Sequence, residues 1–222
     1  MVDAESIVYV LDDDASVRCA LDSLLRSVGL VAHCFASASE FLARPPNKRP
    51  ACLILDLRLP EGSGLDLQRQ LAAREPLPIV FITGHGDIPT SVRAIKAGAV
   101  EFLPKPFRDD ELLAAVDQAL AIAKEDWRAR ASLAALEERV ASLTPRERQV
   151  LGHVVSGMLN KQIAGVLGIS EVTVKGHRGQ VMQKLRANSV ADLVRMAGLV
   201  GIGPRASAPD LVAAGGAGRA RR

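Results

Sequence analysis

The sequence predicts an α/β fold, a (βα)5 doubly wound parallel sheet, followed by a helical linker and an all-α domain of four helices. Three observations carry this. Between residues 7 and 121, five short apolar runs alternate strictly with amphipathic helical patterns, as parallel strands joined by right-handed crossover helices require. Each run on the path to the sheet edge ends in polar residues, so that Asp12, Asp13, Asp56, Thr83 and Lys105 all fall at strand C-terminal ends, the edge where open α/β sheets hold ligands. From residue 143 to 200 the pattern is helical throughout.

The first strand, Ile7-Val8-Tyr9-Val10-Leu11, runs into Asp12-Asp13-Asp14. A helix over residues 16–27 follows, with Val17, Ala20, Leu21, Leu24 and Leu25 at helical spacing. A second strand near residues 31–35 precedes a helix opening at Ser37 or Ser39, with Phe41 and Leu42 inward. The third strand is the most telling. Cys52-Leu53-Ile54-Leu55 is an unbroken apolar run between Pro50 and Pro60, the pattern of a strand buried on both faces, and it ends in a carboxylate, Asp56. Glu61-Gly62-Ser63-Gly64 leads into a helix over 65–74. Ile79-Val80-Phe81-Ile82 delivers Thr83, then Gly84-His85-Gly86-Asp87 opens a helix over 88–97 that Gly98 ends as a left-handed cap. His85, with no second His or Cys near it, is read as a loop side chain. Val100-Glu101-Phe102-Leu103 delivers Pro104-Lys105-Pro106 before a helix over 109–123. The Lys105–Pro106 bond is a candidate cis peptide.

Residues 122–142 contain no glycine or proline, and Leu133, Leu136, Val140 and Leu143 recur at three- or four-residue steps. This is a helical linker whose apolar stripe either pairs with another copy or packs on a neighbouring domain; Trp127 anchors it by burial. The following domain, residues 143–201, opens with Thr144 as N-cap, Pro145 in the first turn and Glu147 completing a capping box. A helix ending at Gly157, a short helix over 160–167 stopped by Gly168, a longer basic helix from about 171 to 185 and a fourth over 190–199 follow. A short helix, a tight glycine turn and a longer basic helix make a helix-turn-helix. Val172, Val174, Val181 and Leu185 of the longer helix are expected to face the core. Gly176 and Gly179 each cost it roughly 1 kcal/mol against alanine. Residues 202–222 read as a disordered tail.

Charge is divided along the chain. Residues 1–121 carry 12 Lys+Arg against 17 Asp+Glu, net −5, and residues 122–222 carry 16 against 8, net +8. An acidic half joined to a basic half suits cation or phosphate chemistry in one part and nucleic acid in the other. Three cysteines, Cys19, Cys34 and Cys52, odd in number and without C-x-x-C spacing, argue against a disulfide framework or zinc site; all three are read as small buried hydrophobes. No leader-like start or membrane-length apolar run is present, so a cytoplasmic protein with no membrane partner is expected.

Asp12-Asp13, the lone Asp56 with Pro60 and Gly64 after it, Thr83-Gly84 and Lys105-Pro106, in this order and at strand ends, make residues 5–121 resemble the receiver (phosphoacceptor) domain of a two-component response regulator, a flavodoxin-like fold. The run from Ile82 to Asp87 and Lys105-Pro106-Phe107 resemble the FixJ-like subfamily. Residues 143–201 resemble the LuxR-type DNA-binding domain through Leu143-Thr144-Pro145-Arg146-Glu147, Asn160-Lys161-Gln162-Ile163-Ala164 and Thr173-Val174-Lys175-Gly176-His177-Arg178.

The resemblance implies a bacterial transcriptional response regulator, phosphorylated on Asp56 by a cognate sensor histidine kinase. It implies Mg²⁺ held by Asp13, Asp56 and the backbone carbonyl of Arg58, with Asp12 acting through water, and hard oxygen ligands suit that ion. It further implies Thr83 bonding a phosphoryl oxygen, Lys105 neutralising charge and Phe102 as a rotating aromatic. The longer helix is expected in the major groove of promoter DNA, with Thr173, Lys175, His177, Arg178 and Lys184 on it, and Asn160 and Lys161 touching phosphate. Gly176 and Gly179 fall at groove-facing positions where related proteins often carry larger side chains, which implies either modest base readout or close approach of main chain to DNA. The implied partners are completed by a homodimer formed on phosphorylation through residues 88–103 and by RNA polymerase as a further candidate. No enzymatic activity is expected beyond the protein's own phosphoryl transfer and autodephosphorylation. Two other readings stand beside this one. The first is a DNA-binding regulator that works without phosphorylation, its first domain serving only to dimerise. The second is a haloacid-dehalogenase-like phosphatase with Asp12 as nucleophile and Asp14 as acid, which leaves Asp56 without a role.

Overall fold

The computed structural model describes residues 6–60, 62–84 and 88–203, with the backbone alone at residue 88. The chain divides into two compact units between Arg130 and Ala131.

In the first unit, β1 (Ile7–Leu11), α1 (Ala15–Ser27), β2 (Val31–Phe35), α2 (Ala38–Ala43) and β3 (Ala51–Asp56) are followed by β4 (Arg58–Leu59) and β5 (Gly62–Ser63). After these come α3 (Gly64–Arg74), β6 (Ile79–Thr83), α4 (Ile88–Lys96), β7 (Glu101–Pro104) and α5 (Asp109–Ala141), whose residues from Ala131 on belong to the second unit. The sheet is five-stranded in the order β2-β1-β3-β6-β7, and every pair is parallel. The chain runs from β1 outward to β2 and then crosses back past β1 to β3, so β1 and β3 lie side by side and their C-terminal carboxylates share one edge.

Side chains alternate across a strand, and the core follows that alternation. Val8, Val10, Cys52, Ile54, Val80 and Ile82 pack against Leu21 and Leu25 of α1 and Leu112, Val116 and Ala119 of α5. Tyr9, Leu11, Leu53, Leu55 and Phe81 face the other way, onto Phe41, Leu67, Leu71 and Ala94. All six residues of β3 are buried, as its unbroken apolar run requires.

The structure departs from the sequence expectations at several points. β4 and β5 pair antiparallel over two residues each, Arg58 opposite Ser63 and Leu59 opposite Gly62, where the sequence showed only a connection into the next helix; strands this short carry no readable periodicity. Cys19 is exposed and Cys34 only half-buried, leaving Cys52 as the buried thiol. Ala20 is also exposed, because the inward stripe of α1 is narrower than its apolar pattern. Trp127 is half-buried on α5, beside a cavity of about 200 Å³ that Arg44 and Glu75 also line.

In the second unit, α6 (Pro145–Val155), α7 (Asn160–Leu167), α8 (Glu171–Leu185) and α9 (Val190–Leu199) enclose Val150, Leu151, Val154, Ile163, Val174, Val181, Leu185 and Leu193. Leu136 and Leu143 are buried in the same core while Leu133 is 38% exposed, so the lower part of the linker stripe packs on these four helices. The capping box is present: Glu147 N–H donates to Thr144 Oγ1 at 3.2 Å, and Thr144 N–H to Glu147 Oε2 at 2.8 Å. Gly168 ends α7 at φ 65°, in the left-handed region, and Ser170 caps α8 by accepting from Thr173 N–H. Val172 is 81% exposed, which corrects its assignment to the core. It stands in the first turn of α8, on the side away from Val174.

Candidate functional site

At the sheet edge three strand ends meet. Asp12 follows β1 and is fully buried; Asp56 ends β3 and is 7% exposed; Thr83 ends β6 and is 1% exposed. Lys105 follows β7, and its main-chain N–H donates to Thr83 O at 2.7 Å. Its ammonium donates to Asp12 Oδ2 and to Asp56 Oδ2, both at 2.7 Å. The Lys105–Pro106 peptide is cis, as the sequence suggested.

Backbone groups fix the other carboxylate oxygens. Asp14 N–H donates to Asp12 Oδ1 at 2.9 Å, and Arg58 N–H to Asp56 Oδ1 at 3.0 Å. Arg18 Nη1 donates to the Asp12 carbonyl at 2.6 Å. Sequence reasoning missed this link, although Arg18 on α1 lies within one turn and a half of the acidic turn. Asp13 is exposed, yet carboxylate oxygens of Asp12, Asp13 and Asp56 all lie within 4.8 Å of one another.

The charge balance of this cluster decides what it can hold. Two unit charges about 4 Å apart near a protein surface interact by roughly 4 kcal/mol. One ammonium among three carboxylates therefore leaves repulsion unrelieved. A small divalent cation with oxygen ligands offsets it, and the donor set fits such an ion. Burial works to discharge Lys105, but its bonds to Asp12 and Asp56 and their negative charge outweigh that and raise its pKa above the ordinary lysine value. It therefore stays a cation throughout the physiological range.

The third aspartate has a different task. Asp14 is the N-cap of α1, its carboxylate accepting from Ser16 N–H at 2.8 Å, and hydrogen bonding from the Ser16 side chain first and its N–H second holds its pKa below the usual aspartate value. A cap carboxylate turned onto its own helix is not arranged as an acid for Asp12. Phe102 is half-buried on β7, with its ring centroid 6.3 Å from that of Phe81 on β6. Residues 85–87, His85 among them, lie outside the described residues, as do residues 204–222 of the expected tail.

In the second unit the sequence-selected residues separate into two groups. Lys161, Thr173 and Lys175 are exposed on α7 and α8, and His177 is half-buried. Two cations are engaged internally. Arg178 Nη1 donates to Asn160 Oδ1 at 2.5 Å, tying α8 to the start of α7. Lys184 Nζ donates to Glu147 Oε2 at 2.6 Å and to Ser142 O at 3.3 Å. Glu147, 5% exposed, thus closes both a capping box and an ion pair, a double role its spacing in sequence did not reveal.

Among known proteins, residues 8–117 match the family model described as the response regulator receiver domain, and residues 141–197 that of the bacterial regulatory proteins of the luxR family. The response regulator protein TodT of Pseudomonas putida is 52% identical over 197 residues, covering 88% of this chain and 87% of that one. Nodulation protein W of Bradyrhizobium diazoefficiens is 50% identical over 199 residues, covering 89% and 88%. The transcriptional regulatory protein FixJ of the same species is 42% identical over 191 residues, covering 86% and 93%. Among solved structures, the response regulator StyR superposes with a TM-score of 0.78 at 52% identity, over 88% of this chain and 99% of that one. Full-length FixJ from B. japonicum superposes at 0.53 and 42% identity, over 90% and 98%. A receiver domain with its acidic edge, followed by a LuxR-type helix-turn-helix and matched nearly end to end by such relatives, assigns the chain to the FixJ-like two-component response regulators.

Proposed function

We propose that this DNA-binding transcription regulator is switched by transfer of a phosphoryl group from a cognate sensor histidine kinase to Asp56. The supporting observation is the Lys105 ammonium held at 2.7 Å from Asp56 Oδ2, in a cluster otherwise made of carboxylates.

An Asp56 carboxylate oxygen attacks the phosphorus of the kinase phosphohistidine. A P–O bond forms, the P–N bond breaks, and the imidazole nitrogen that keeps the electron pair takes a proton from water. Asp13, Asp56 and the Arg58 carbonyl would hold Mg²⁺, with Asp12 behind them, and the ion when bound offsets charge on the phosphoryl oxygens. Lys105 transfers its hydrogen bond from Asp56 to a phosphoryl oxygen, and the Thr83 hydroxyl donates to another. This is stabilisation by preplaced charge, not covalent chemistry by the protein. The only reactions are the protein's own gain and loss of phosphate. In the phosphatase reading Asp14 must serve as the acid, whereas its carboxylate is occupied as the cap of α1.

Output follows from a shift between existing states. Rearrangement at Thr83 and Phe102 alters residues 88–103, where Val92 and Ile95 are exposed at 44% and 45%, and two receivers pair there. Two linked helix-turn-helix units then occupy two half-sites of promoter DNA with raised effective concentration, and recruit RNA polymerase. Among the described residues no helix is long and apolar enough to cross a membrane, which supports the cytoplasmic setting. Affinity for promoter DNA measured with and without beryllofluoride plus Mg²⁺ tests the switch. A rise on addition is expected; an unchanged affinity supports the regulator that works without phosphate.

A further inference from the structure

The recognition helix α8 carries two glycines that nothing inside the protein requires. A glycine is needed where φ is positive or where another atom stands too close for a Cβ. The first case is Gly168, at φ 65°. The second is Gly64, whose Cβ would meet the Asp56 carbonyl. Gly176 and Gly179 meet neither condition: their φ angles are not positive, and nothing stands within 4 Å of a Cβ built at either. Both lower the helix propensity of α8 with no compensating contact in the unit.

Their position explains them. At about 100° per residue, the buried stripe of α8 is Val174, Val181 and Leu185. Diametrically opposite lie Val172, Gly176, Gly179 and Gln183, all exposed. The outermost line of the helix thus begins with an isopropyl group, 81% exposed, and continues as bare main chain at Gly176 and Gly179, just under one turn apart. It bears no charge. The exposed cation Lys175 directly precedes Gly176 on the same helix, and Lys161 is exposed on α7.

We propose that this strip is laid directly against base edges in the major groove, with main chain at Gly176 and Gly179 in van der Waals contact with them. Val172 reads a T·A pair there through the thymine methyl. This rests on the DNA-binding function. A thymine methyl is the one apolar group in the major groove, and aliphatic side chains contact it. Guanine is read by bidentate Arg or Lys, which the strip lacks. These two lysines supply phosphate attraction, which positions the helix without choosing sequence.

The test uses the full chain and a randomised duplex pool, from which wild type enriches a site. Gly176→Ala/Gly179→Ala is expected to raise the melting temperature of the unit, since alanine favours helix and meets no clash. It should also weaken binding to the enriched duplex by about tenfold or more, with nonspecific DNA affinity and its salt dependence unchanged. Val172→Ala should lose the preference for thymine at one position per half-site. Equal affinity of the double variant for the enriched duplex, or an unaltered thymine preference in Val172→Ala, overturns the assignment of this strip. Failure of wild type to enrich any sequence contradicts the DNA-binding function itself and takes this inference with it.

Discussion

Gly64 and Asp56 are in contact at a distance no other residue type permits: a Cβ on Gly64 would stand 2.6 Å from the Asp56 carbonyl oxygen. The same Cβ would lie 3.0 Å from Phe81 Cε1, and Phe81 in turn neighbours Phe102. The start of α3 is thereby pressed onto the end of the central strand, and Gly64 N–H donates to Leu57 O at 2.8 Å across this junction.

Gly64→Ala is therefore expected to displace α3 from Asp56. Forced overpacking of this kind costs about 1–3 kcal/mol, and the phosphorylation rate should fall with it. Gly198→Ala, inside α9 and meeting open space, should leave the phosphorylation rate unchanged and, if anything, raise stability, since alanine favours helix. Urea denaturation and acetyl-phosphate labelling read the two effects; equal behaviour of the two variants contradicts the close contact.

Lys105→Met removes the cation from a site where Asp12 is fully buried. Breaking a buried pair from one side costs about 3–5 kcal/mol, discounted toward the lower end because Lys105 is 23% exposed. The variant should melt lower than wild type without Mg²⁺, and recover more than wild type when Mg²⁺ is added, because the ion replaces the lost charge. A melting temperature insensitive to the substitution in both conditions argues against this electrostatic account.

The Lys184 hydrogen bond, followed by the bond from Thr144 N–H, holds the Glu147 pKa below the ordinary glutamate value of 4.5. A depressed carboxyl pKa contributes stability that is full above the unfolded value and is lost as pH falls through the folded one. The second unit should accordingly lose stability below about pH 4.5. Glu147→Gln and Lys184→Met should each be less stable at pH 7 and show a shallower acid dependence. Calorimetry from pH 7 to pH 3 reads this, and parallel curves for wild type and variants would contradict it.

Thiol reactivity separates the three cysteines. Cys19 is exposed and should react quickly with a disulfide reagent at mildly alkaline pH. Burial first, and Asp22 nearby second, raise the Cys34 pKa, so it should react slowly. Burial raises that of Cys52 to about 12, so it should react only on unfolding. Three equally protected thiols would restore the sequence expectation.

The receiver was legible because its signals are collective. A strand buried on both faces shows as an unbroken apolar run, and five strand ends in alternation put Asp12, Asp56, Thr83 and Lys105 on one edge before any coordinate is known. What stayed hidden depends on direction within an element. Helical spacing alone does not say that Val172 turns outward in the first turn of α8 while Val174 turns in. Nor does it say that Arg178 and Lys184, basic residues on a basic helix, spend their hydrogen bonds on Asn160 and Glu147. The β4–β5 pair is too short to have a period, and the Arg18 bond to the Asp12 carbonyl is a side-chain reach that no pattern encodes.

The central claim is that Asp56 alone carries the phosphoryl group. The full chain is labelled with acetyl phosphate in Mg²⁺, the acyl phosphate is reduced with borohydride, and the modified residue is located by peptide mass mapping. Reduction at Asp56 only, absent in Asp56→Asn, is the predicted result. Label on Asp12, Asp13 or Asp14, or undiminished label in Asp56→Asn, contradicts it.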